Sequence, residues 1–181
     1  MNQNPYSVSE QQTSDDLQSL GPKFDQQLRV MQIIAGALMM GVLMFFGVVL
    51  VSTQGDIFGQ GNPGMMTMIA AGFAGLMIVN HLVIPALVTK AQLNKFKSED
   101  AGPKDLDSTN DSLLAIYRIQ LIITLALLEG AAFFNLISVM IEKHMISVIA
   151  ALVLLGLMVA RFPTRTKVSW WIQDKLRELN M

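Results

Sequence analysis

Four long apolar runs constrain this chain more than any other feature of it. They are Val30 to Ser52, Met65 to Thr89, Leu113 to Ile141 and Met145 to Phe162. A hydrocarbon core of about 30 Å takes about 20 residues of helix, so each run is close to or above the length of a span. The first two carry no Asp, Glu, Lys or Arg, and the fourth is uncharged up to Arg161 near its end. The third contains Arg118 and Glu129. A carboxylate at mid-bilayer costs about 3 kcal/mol on the insertion scale, whereas Leu, Ile, Phe and Val each return about 0.3–0.6. The 16 such residues from Leu113 to Ile141 outweigh one acid. The expected fold is therefore all-α and polytopic, with four transmembrane helices in a bundle.

Charge supports the same class. Charged residues make up 15% of the chain and hydrophobic residues 52%, against about 25% charged in an ordinary soluble domain. With 13 basic and 14 acidic residues the net charge is −1, which leaves no basic footprint for nucleic acid. The absence of cysteine removes disulfide scaffolds, thiol nucleophiles and Cys-ligated metal centres. No Walker motif or Gly-rich phosphate loop occurs, and His81 and His144 fall toward opposite ends of the spans. No catalytic constellation forms from these residues, so the expectation is a non-enzymatic protein without a cofactor.

The connections give an orientation. Residues 1–29 are polar and lack the apolar core of a secretory signal, so they read as a mostly disordered tail. The connection from Thr53 to Gly64 has turn chemistry, Gly55, Gly59, Gly61 and Asn62-Pro63-Gly64, and no Lys or Arg. Lys90 to Ser112 carries four lysines and is broken by Ala101-Gly102-Pro103, with Asn110, Asp111 and Ser112 as N-cap candidates for the third span. Twelve of the 13 basic residues gather on one side, and Lys143 stands on the other. By the positive-inside rule both termini are cytoplasmic, and the expected location is a bacterial inner membrane. Residues 163–181 form an amphipathic helix, Val168, Ile172, Leu176 and Leu179 making its apolar stripe. Trp170 and Trp171 suit the headgroup level, as in an interfacial anchor.

Three sets of residues are candidates for chemistry. Glu129 is an ionisable group at membrane depth, flanked on its face by Ala126 and Phe133, with Ala126 and Gly130 forming a small-xxx-small pair. It is either a proton or cation site or a protonated acid that hydrogen-bonds a neighbouring helix. Asn80, His81 and Arg118 form a candidate polar relay. Pro85 lacks an N–H and so frees the His81 carbonyl, while Arg118 lies 11 residues before Glu129, about 16 Å along a helix. They are alternatively a packing histidine and an arginine that snorkels to the headgroups. Met65, Met66, Met68, His144 and Met145 are the soft ligands that would suit Cu(I), or else apolar filler.

The segment Ile122-Ile123-Thr124-Leu125-Ala126-Leu127-Leu128-Glu129-Gly130-Ala131-Ala132-Phe133-Phe134-Asn135-Leu136-Ile137 resembles the carboxylate-bearing helix of the ATP synthase proteolipid, the c subunit. That resemblance implies an ion-binding role for Glu129. The preceding span departs from the pattern, having only Gly72 and Gly75 where the family has dense glycines, and His81 and Pro85 within the helix. The chain as a whole resembles small uncharacterised four-helix membrane proteins of bacteria, some with a similar Ala-Leu-x-Glu-Gly segment. The absence of a catalytic constellation, the small-residue faces Ala37/Gly41 and Ala71/Gly75 and the short outer loops point to a structural or accessory helix bundle, whose partners are the lipid bilayer and further copies of itself or a larger membrane complex. The alternative is a proton- or cation-coupled transport component using Glu129.

Overall fold

The computed structural model describes residues 22–57, 59, 62–99 and 106–179. Among them the chain is all-helical: α1 (Pro22–Ser52), α2 (Met65–Glu99), α3 (Leu106–Glu142), α4 (Met145–Ala160) and α5 (Arg165–Leu179). Three of these helices, α1, α2 and α3, are long and apolar enough to cross a membrane, and α4 with α5 makes a fourth if the bent pair is one span. That is the build of an integral membrane protein.

The long helix α3 packs against all four others. Its Leu113, Leu125, Leu128, Ala131, Ala132, Leu136 and Val139 are fully enclosed. From α1 come Met31, Ala35, Val42 and Val49, at intervals of four and seven that keep one face toward α3. From α4 come Val148, Ala151, Leu154 and Met158. The opposite faces are just as apolar: Ile33, Met44, Val51, Met68, Leu82 and Ile141 are all more than 60% exposed. A soluble monomer rarely exposes apolar patches of more than a few hundred Å²; in a bilayer this is the ordinary outer surface.

The ends are closed by backbone chemistry. After α1, Gln54 takes a left-handed φ of 54°. Its N–H donates to the Val51 carbonyl, and the Gly55 N–H donates to that of Leu50, the paired bonds of a Schellman stop. After α3, Lys143 turns left-handed at φ 50° and its N–H donates to Val139 O at 2.8 Å. His144 then caps α4, its Nδ1 accepting from the Ile146 N–H at 3.2 Å.

Several helix limits differ from the apolar runs. The first helix starts at Pro22 rather than at Val30, with proline at a first-turn position that has no intrahelical use for its missing N–H. Between the second and third spans, α2 continues to Glu99 and α3 begins at Leu106, so most of the polar connection is helical. Asn110, Asp111 and Ser112 are not an N-cap: they lie inside α3. No Gly or Pro separates Leu106 from Ser112, so nothing stops the helix from extending past the apolar run. Residues 1–21 and the Ala101-Gly102-Pro103 break lie outside the described residues. The fourth apolar helix has 16 residues, about 24 Å at 1.5 Å per residue. It ends before Phe162-Pro163, where proline disfavours helix in the residue ahead of it, and α5 leaves at 68° to it.

The stripe of α5 is turned onto the protein. Val168 and Ile172 are buried, Leu176 is half-buried, and Trp171 meets Tyr117 of α3 edge to face at 5.2 Å. Trp170 points away, 64% exposed. Two contacts tie this corner to the start of α1: Gln32 Nε2 donates to Pro163 O at 3.0 Å, and Arg165 lies 3.8 Å from the Asp25 carboxylate.

Candidate functional site

Glu129 sits on the seam between α3 and α1. A Cβ added to Gly41 of α1 would lie 3.3 Å from Glu129 Oε1 and 3.8 Å from the Phe133 ring. Glycine at 41 thus lets α1 come close to the carboxylate. Phe133 extends the contact, meeting Phe45 of α1 edge to face at 5.2 Å. The side chain of Glu129 is half-buried, and among the described residues no donor or cation pairs with it. Ala126 and Gly130 face outward instead: Ala126 is exposed, and a Cβ on Gly130 would meet nothing within 4 Å. The close approach to Glu129 therefore uses Gly41, and not the small-xxx-small pair.

His81 is buried, and it pairs with Arg161 at the end of α4, whose Nε donates to His81 Nε2 at 3.1 Å. Arg118 does not make this bond; it and Asn80 are half-buried. Arg161 also lines a small pocket of about 20 Å³ with Tyr117, Gln120, Leu121 and Thr124 of α3. Beside it, the Thr89 hydroxyl of α2 donates to Gln120 Oε1 at 2.9 Å and the Thr124 hydroxyl to Gln120 O at 2.8 Å. Between Thr124 and Glu129 the residues of α3 are Leu125, Ala126, Leu127 and Leu128, all apolar. The His81 cluster and Glu129 are thus polar spots at different depths.

Further polar groups bind helices together at the far end of α3. Asn135 is fully buried and its Nδ2 donates to Ala70 O of α2 at 3.1 Å and to Ala131 O at 2.9 Å. Ser138 lies between Thr67 and Ser147, with hydroxyl separations of 3.3 and 3.1 Å, linking α2, α3 and α4. The Glu142 carboxylate accepts from the backbone N–H groups of Met66 and Thr67 at 2.9 and 2.8 Å. These are the unpaired donors of the first turn of α2, and a carboxylate there also faces the positive end of the helix dipole. A Cβ at Gly64 would fall on the Glu142 carboxylate, and one at Gly59 would lie 2.6 Å from Lys143 O. Lys143 pairs with Asp56 at 3.1 Å.

None of these contacts is visible as a motif. Asn135 alone gives a sequence signal, as an amide inside an apolar run six residues after Glu129. Of the soft-ligand candidates at the same end, Met65 is 79% exposed, Met68 62% and Met145 46%, Met66 is half-buried, and His144 Nδ1 accepts the Ile146 N–H. Among the described residues no three His, Asp or Glu side chains are grouped to hold a metal ion. No family model, curated protein or solved structure matches the chain.

Proposed function

We propose that this chain is a non-enzymatic integral membrane protein, a four-span helix bundle with a structural or accessory role. The observation that carries this reading is how its buried polar groups are used. Asn135, Thr67, Ser138, Ser147, Thr89, Gln120 and His81 all bond from one helix to another, the use expected of polar side chains that hold membrane helices together. In this reading α4 is a short fourth span and α5 an interfacial helix. The excess of Lys and Arg at the terminal end supports cytoplasmic termini, as in a bacterial inner-membrane protein. Co-purification in mild detergent followed by mass spectrometry tests it: a stoichiometric larger partner, or further copies of the chain, is the expected result. A monomer without partners overturns the accessory role.

A second reading is favoured by one observation. Glu129 is held against Gly41 without a donor or counter-charge among the described residues, and an ionisable group kept at membrane depth invites a functional reading, here a proton or cation site. Reconstituted protein should then carry proton or cation flux that is lost in Glu129→Gln. Flux unchanged by that substitution removes this role.

A further inference from the structure

Where α4 gives way to α5, Arg161 reaches both His81 and the pocket beside Gln120. Because Arg161 Nε–H donates to His81 Nε2, the neutral imidazole carries its hydrogen on Nδ1, and Nδ1 is buried without a partner. Gln120 has its side-chain oxygen engaged by Thr89 and its backbone carbonyl by Thr124, which leaves its NH2 as the open end. The pocket beside it is lined by Tyr117, Gln120, Thr124 and Arg161, with no carboxylate. Arg161 spends Nε–H on His81, and among the described residues no hydrogen bond takes up its two terminal NH2 groups. Arg161, Gln120 and Tyr117, which line one opening, carry a guanidinium, an amide NH2 and a phenol, a set of donors that suits an oxyanion, which accepts hydrogen bonds and carries the opposite charge.

Size and place narrow the ligand. About 20 Å³ admits one oxygen-sized group, so the body of a larger ligand would remain outside. Arg161 directly follows the apolar α4, at the level where a span meets the headgroups. Tyr117 and Trp171, the aromatic pair of this corner, are of the kind found at that level. Basic pockets between helices at this depth are suited to anionic headgroups.

We propose that this pocket binds a phosphate oxygen of an anionic phospholipid, with the Arg161 guanidinium as its charged ligand and Gln120 and Tyr117 as neutral donors. His81 fixes the guanidinium by occupying Nε. The proposal rests on the membrane reading for the source of the phosphate, and not on whether the protein is an accessory component or carries flux.

The test is native mass spectrometry of the full chain in neutral detergent with phosphatidylglycerol, phosphatidylcholine or inorganic phosphate added separately. One phosphatidylglycerol should bind in preference to phosphatidylcholine. Arg161→Gln should weaken it about tenfold, in line with losing a charge-assisted hydrogen bond, and Lys167→Gln, on the exposed start of α5, should not. Gln120→Leu and Tyr117→Phe give smaller losses, and they decide the matter if circular dichroism finds Arg161→Gln unfolded. Inorganic phosphate binding in place of the lipid, with the same dependence on Arg161, keeps the oxyanion pocket and overturns the lipid as its source. Lipid binding indifferent to all three pocket substitutions, or no binding of either probe, overturns the proposal.

Discussion

Glu142, the last residue of α3, accepts a hydrogen bond from the backbone N–H of Thr67 in the first turn of α2, at 2.8 Å. The residues are 75 positions apart, and the contact makes one helix end the cap of another. Glu142→Ala should lower the unfolding midpoint in detergent, and Glu142→Gln should lower it less, because the amide keeps one acceptor but loses the charge. Gly64→Ala should match Glu142→Ala, since its Cβ would displace the carboxylate. Equal midpoints for all four proteins would remove this cap as a stabilising contact.

Asn135 offers a second test at the same end. Its amide donates across to Ala70 O and back to Ala131 O. Interhelical hydrogen bonds in membranes are worth about 0.6 kcal/mol on average and up to about 1.7, so Asn135→Ala should cost about 1 kcal/mol in a reversible unfolding titration. Asn135→Asp should cost more, because an ionised carboxylate has no hydrogen to give and would face two carbonyl oxygens. An Asp variant as stable as the wild type would show that the amide donors do not matter.

The contrast between these contacts and the apolar runs explains what could be read in advance. The run from Val30 to Ser52 declares a span by itself, since a bilayer imposes a length and an absence of charge on contiguous residues. The limits of α1 and α3 escaped that rule because a helix can run on past its apolar stretch: Pro22–Arg29 adds Phe24 and Leu28, which are buried in the core, and Leu106–Ser112 has no Gly or Pro to stop it. Glu129 was legible as the embedded acid, but its neighbour was not. Gly41 meets it only through the relative rotation of α1 and α3, which no local spacing encodes. His81 was likewise visible as a polar residue in a span, while its partner Arg161 lies 80 positions away and looks from the sequence like one more basic residue at a helix end.

The Gly41–Glu129 contact predicts an asymmetric mutational response. At 3.3 Å, the Cβ of Gly41→Ala asks the carboxylate to move by a few tenths of an ångström, which the end of a flexible side chain can do. Gly41→Leu cannot be accommodated in the same way and should separate α1 from α3. Because the clash is with Glu129, combining Gly41→Leu with Glu129→Ala should destabilise less than the sum of the single changes, by an interaction term within the range of about 0.5–3 kcal/mol for residues in contact. Strict additivity in a double-mutant cycle would place the two residues out of contact.

The two adjacent tryptophans of α5 should report different surroundings. Trp171 is half-buried against Tyr117, whereas Trp170 is 64% exposed. If α5 lies at the membrane surface with its stripe on α3, Trp170 is the residue presented to lipid. Vesicles of brominated lipid should therefore quench the single tryptophan of a Trp171→Phe variant more strongly than that of Trp170→Phe. Tyr117→Ala should remove the difference by releasing Trp171, at a cost of at least the roughly 0.5–1.5 kcal/mol of an edge-to-face pair. Quenching stronger at Trp171 than at Trp170 would mean that α5 presents its stripe to the bilayer and not to α3.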